Sequence, residues 1–69
     1  MIVDDIIRDC TLVHDSTHVI ILDPGRIPIA SGNWFQDQIM EYCNAEVIDF
    51  TYDAARSRVR IRIREVDLW

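Results

Sequence analysis

The sequence predicts an α+β fold, built as a single small domain over residues 1–69. Three observations lead there. Residues 47–52 and 58–64 alternate between apolar and polar with a period of two, the mark of a half-buried antiparallel hairpin. A β-branched run beginning at Thr17 ends in Asp23-Pro24-Gly25-Arg26, a tight-turn sequence. Two further stretches space their apolar residues as a helix does. The predicted order is α-β-β-α-β-β, a two-layer sandwich with two β-hairpins in one sheet and two helices on one face.

The first helix spans 2–10. Ile2, Val3, Ile6, Ile7 and Cys10 share a face, Asp4, Asp5 and Arg8 point away, and the two acids suit the positive end of the helix dipole. Strands over 17–23 and 26–31 follow. A two-residue loop places Leu22 opposite Ile27 and Ile20 opposite Ile29 on the core side. Val19, Ile21, Pro28 and Ala30 then fall on the outer face. Pro28 has no N–H to donate to a ladder, so its strand belongs at a sheet edge.

The second helix opens at Ser31-Gly32-Asn33, with Asn33 and Gln36 spaced as a capping box. Phe35, Ile39, Tyr42 and Cys43 form its buried stripe, and Asn44 ends it. In the closing hairpin Ile48 is expected opposite Ile61, Phe50 opposite Val59, and Asp49 opposite Arg60. The expected core is Ile6, Ile20, Leu22, Phe35, Ile39, Ile48, Phe50, Val59, Ile61 and Ile63. Truncating Phe50 there would cost roughly 3–5 kcal/mol.

Composition bounds the function. The chain is 49 % hydrophobic, which supports a packed core. At this length only about 60 % of the surface is buried on folding, so a second subunit is a natural supplement. Twelve acids against seven bases give a net charge of −5, every base is arginine, and the pI is near 4.6. That balance disfavours generic binding to a phosphate backbone, which rests on many cations. Two cysteines make neither a disulfide framework nor a zinc cluster. The opening residues lack the pattern of a signal peptide, and the longest apolar run, Val19 to Leu22, is too short to span a membrane. A cytoplasmic protein is expected.

Three constellations stand out. Trp34 projects away from the Phe35–Ile39–Tyr42 stripe and beside Asp37 and Glu41, which reads as an interface anchor with an acidic rim, or as a cap over the end of the core. Arg58, Arg60, Arg62 and Arg64 form a guanidinium row that suits phosphates or a partner's carboxylates, or a solvated strand face guarded against aggregation. His14 and His18 with Cys10 have C-x3-H-x3-H spacing, which would align metal ligands only if the helix continued through Thr17. No Walker loop, dinucleotide fingerprint or HExxH motif occurs, so neither catalysis nor a cofactor is expected.

The Met1-Ile2-Val3-Asp4-Asp5-Ile6-Ile7 opening, the Ile29-Ala30-Ser31-Gly32-Asn33 entry to a helix, and Glu46–Phe50 with Val59–Ile63 resemble small proteins carried by phages and mobile elements of Firmicutes. That resemblance implies an anti-defence role by surface occupation, as in anti-CRISPR inhibitors, and brings no functional residue with it. The expectation is a non-catalytic protein-binding module with Trp34, Asp37 and Glu41 at the contact. The alternatives are a nucleic-acid binder using the arginine row and a small metal-dependent enzyme at His14 and His18. A homodimer is expected through Val19, Ile21 and Pro28.

Overall fold

The computed structural model describes residues 1–9 and 13–64. The elements are α1 (Val3–Asp9), β1 (His18–Leu22), β2 (Pro28–Gly32), α2 (Asp37–Met40), β3 (Val47–Asp53) and β4 (Arg58–Ile63), with a 3-10 turn at Ala54–Arg56. They make a compact α+β fold around a four-stranded mixed sheet ordered β2-β1-β4-β3. Among the described residues, no helix is long and apolar enough to cross a membrane.

The sheet is closed through its centre. β1 and β4 pair in parallel, setting Val19 beside Val59 and Ile21 beside Ile61. These four, with Ile63, Val3, Ile6 and Ile39, form the buried cluster. The hairpins therefore share one core.

Helix α1 is tied to the chain leading into β3. The N–H groups of a helix's first turn have no partner inside the helix. Here Val3 donates to the Ala45 carbonyl at 3.0 Å and Asp4 to that of Cys43 at 2.9 Å. Asp5 Oδ2 accepts the Ile2 N–H at 3.0 Å, and Arg8 pairs with Asp4 one turn away. Cys10, expected on the same apolar face, lies outside the described residues.

The first hairpin differs from expectation by a slip. Its turn bonds the Arg26 N–H to the Asp23 carbonyl at 2.9 Å, but the positive φ falls on Arg26 (69°) and not on Gly25. This adds a loop residue. Leu22 pairs with Pro28, Ile21 with Ala30 and Ile20 with Ser31, with a bulge between Ile21 and Leu22. The shift from the expected register is one residue at Leu22 and two beyond the bulge, so Ile21 still shares a side with Ala30; which side turns inward is set by the parallel pairing with β4, where Val19 lies beside Val59 and Ile21 beside Ile61. Val19 and Ile21 are accordingly buried in the core, and Ile20 and Leu22 are half-buried on the other face. Neither Val19 nor Ile21 is available as an outer dimer contact. Pro28 is exposed on an edge strand, as its missing N–H requires.

The second helix is shorter than its apolar spacing implies, a single turn at Asp37–Met40. Ser31 and Gly32 belong to β2, and Asn33 to Gln36 form a turn. Half of the expected capping box is present: Gln36 Oε1 accepts the Asn33 N–H at 2.7 Å. The Asn33 amide instead donates to the Asp15 carbonyl. Gly32 makes room for this, because a Cβ there would lie 2.2 Å from Gln36 Oε1, and its φ of 150° also favours glycine. Only Ile39 of the predicted stripe is buried; Phe35 is 51 % exposed, while Tyr42 and Cys43 are half-buried.

The closing hairpin keeps its facing but slides by two residues. Phe50 pairs with Ile61, Tyr52 with Val59, Asp49 with Arg62 and Asp53 with Arg58. The loop takes four residues, with Ser57 at a positive φ of 51°. Val59, Ile61 and Ile63 are buried as expected. Phe50 is 40 % exposed because β3 is the other edge of the sheet, and Ile48 is 41 % exposed at a bulge between Val47 and Asp49, where Val47 instead pairs with the buried Ile63.

Candidate functional site

Two surfaces gather the residues singled out by the sequence. The first surrounds α2. Trp34 is half-buried and packs against the core, and its indole Nε1 donates to Asp15 Oδ1 at 3.0 Å. Phe35 meets it edge-to-face, with ring centroids 5.7 Å apart and planes at 85°. This is the arrangement that aromatic quadrupoles prefer. Trp34 therefore stands behind, and Phe35 projects. Asp37, Met40 and Glu41 are exposed on the same short segment. Trp34, Asp37 and Glu41 are close in sequence and remain in one region, but the exposed aromatic of that region is Phe35. One signal pointed this way: a turn between Asn33 and Gln36, rather than a helix, reverses which of two adjacent aromatics faces inward.

The second surface is the sheet face opposite the core. β4 alternates Val59, Ile61 and Ile63 inward with Arg58, Arg60, Arg62 and Arg64 outward. Beside this row, β1 carries His18, Ile20 and Leu22, each the parallel neighbour of an arginine. The expected Asp49–Arg60 pair is replaced by Asp49–Arg62, since the register has slid by two. Arg62 Nε donates to Asp49 Oδ1 at 3.1 Å and its NH2 group to Oδ2, a two-pronged pair. Arg64 pairs with Glu46 at 3.3 Å. Arg58 and Arg60 form no ion pair among the described residues, and Thr51 stands opposite Arg60.

A groove of about 310 Å³ lies on this face, lined by Leu22, Arg26, Asp49, Thr51, Arg60 and Arg62. Arg26 enters it from the turn of the first hairpin. Its participation was not read from the sequence, although a three-residue loop would have placed the left-handed residue directly after Gly25.

His14 and His18 are both exposed, and the segment between them is organised by Thr17. Thr17 Oγ1 accepts the His14 N–H at 2.9 Å, and the Thr17 N–H returns to the His14 carbonyl. His18 opens β1 in extended backbone, with its N–H on the Ser57 carbonyl. A helix carrying both histidines on one side is thus not formed. Among the described residues, no three His, Cys, Asp or Glu side chains are placed to hold a metal ion.

No protein-family model, curated protein or solved structure matches this chain.

Proposed function

We propose that this chain is a non-catalytic protein-binding module that engages a basic surface of its partner through the α2 segment. Phe35 carries the proposal: a large aromatic, half in solvent, braced edge-to-face by a tryptophan that is itself fixed to Asp15. A rigid exposed ring supplies contact area at low entropic cost, and such rings dominate binding energies. Asp37 and Glu41 form the acidic rim that steers the approach of a cationic surface. The anchor is thus Phe35, with Trp34 as its support. The resemblance to phage-borne proteins would add inhibition of a host defence protein by surface occupation.

The proposal takes both helices to lie on one face of the sheet, an arrangement supported by Val3, Ile6 and Ile39 sharing a cluster with the inward residues of β1 and β4. Self-association would then use a sheet edge. β3 is the longer edge, and it exposes Ile48 and Phe50. A second reading puts nucleic acid on the arginine row. Arg58 and Arg60, which form no ion pair among the described residues, favour it, and the net charge of −5 weighs against it.

The test compares wild-type and Phe35→Ala baits in capture from a lysate, followed by mass spectrometry. A partner retained by wild type and lost on Phe35→Ala, at an unchanged melting temperature, supports the module. Identical capture by both baits overturns the role of Phe35.

A further inference from the structure

We propose that the groove on the arginine face binds a small phosphate-bearing anion, gripped between Arg26 and Arg60 with the Thr51 hydroxyl as a third donor. This site is separate from the α2 surface and does not depend on it.

The lining is the first argument. Among the described residues, three guanidiniums, Arg26, Arg60 and Arg62, face a single carboxylate, Asp49. The groove is therefore two charges positive within a chain of net charge −5. Arg62 is already committed, to Asp49 at 3.1 Å and to the Pro24 carbonyl at 3.5 Å. It forms a fixed wall. Arg26 and Arg60 have no carboxylate partner among the described residues, so their donors are free for a ligand.

The backbone of Arg26 is the second argument. A left-handed conformation costs a residue with a Cβ about 1 kcal/mol or more, and glycine almost nothing. The turn contains a glycine, yet Gly25 does not occupy the positive-φ position; Arg26 does, at 69°. That conformation is held by the Asp23 side chain, whose Oδ1 accepts the Ile27 N–H at 2.9 Å, and by the Asp23–Ile27 backbone bond at 3.0 Å. Strain of this kind gathers where a side chain must be aimed. Here it places the Arg26 side chain over the groove, while Arg60 rises from a central strand.

The number of free donors selects the ligand. One carboxylate satisfies one guanidinium in a two-pronged pair, as Asp49 does for Arg62 in this same groove. Two further guanidiniums and a hydroxyl, approaching from different strands and a turn, match the three terminal oxygens of a phosphate monoester. A nucleic-acid strand would need a longer row of free cations. The row is interrupted where Arg62 and Arg64 meet Asp49 and Glu46, and the acidic chain repels a polyanion.

The test is a two-dimensional NMR titration at constant ionic strength with three probes: inorganic phosphate, acetate and a ten-nucleotide oligothymidylate. Phosphate is expected to shift amides of residues 23–27, 49–51 and 60–62 saturably, and to bind at least about tenfold tighter than acetate. Arg60→Gln should weaken phosphate binding by about tenfold or more. Arg26→Gly should do the same while raising the melting temperature, since glycine relieves the strained turn. Equal responses to phosphate and acetate, shifts spread over the whole sheet, or full phosphate binding by Arg26→Gly would overturn the site. Oligothymidylate binding far tighter than phosphate would overturn it in favour of nucleic acid.

Discussion

Trp34 and Asp15, nineteen residues apart, are joined by a 3.0 Å hydrogen bond from the indole Nε1 to the carboxylate. The bond closes the turn before α2 onto the loop before β1, and Asn33 reinforces it by donating to the Asp15 backbone carbonyl at 3.1 Å. An exposed aspartate thus sets the orientation of the aromatic pair.

Replacing Asp15 with Ala is therefore expected to loosen Trp34. The cost in stability should be about 1 kcal/mol, the size of one hydrogen bond at a partly exposed site. In a Trp69→Phe background, Trp34 emission should move to longer wavelength. Unchanged emission and melting temperature would show that core packing alone holds the indole.

The inverted face of β1 gives a paired test. Ile21→Ala should cost about 2–5 kcal/mol, enough to unfold much of a marginal domain, because it opens a cavity beside Ile61. Ile20→Ala should cost less than about 1.5 kcal/mol, since that residue is half-buried on the outer face. Urea denaturation of both variants checks the facing of β1, and a reversed order would put Ile20, not Ile21, in the core.

Gly32→Ala is expected to destabilise by about 1–3 kcal/mol, from a positive φ and from contact with the Gln36 side chain. The added variant Gln36→Ala removes the nearer contact but neither the one with Gln38 nor the strain. Thermal melts should show the double substitution recovering only part of the loss.

Phe50→Ala should be milder than its alternating pattern implies, below about 2 kcal/mol, whereas Ile61→Ala should cost about 2–5 kcal/mol. The two residues are cross-strand partners, so the comparison isolates the effect of an edge position. Equal losses in chemical denaturation would mean that something covers Phe50.

Element types were legible in the sequence wherever polar residues marked the period. β4 is the clear case: arginine at every second position left one possible inward set, Val59, Ile61 and Ile63. β1 offered no such mark. Its Val19-Ile20-Ile21-Leu22 run is apolar at every position, so nothing in the run marks the inward side; the parallel pairing with β4 does, setting Val19 beside Val59 and Ile21 beside Ile61. The adjacent aromatics failed for a related reason, since a turn and a helix face Trp34 and Phe35 in opposite directions. The arginine row is legible from its spacing, but its groove is not, because Arg26 joins it only through the parallel pairing of β1 with β4.

That pairing also governs how the chain can fold. His18 meets Arg58, forty positions further along the chain, and every inward residue of the two central strands depends on the match. Neither hairpin has a buried face until the other arrives, so an early fragment gains nothing lasting from its own turn. The last strand of the chain is thus the one that joins the other three: without β4, β3 has no neighbour in the sheet and β1 keeps only its edge partner β2.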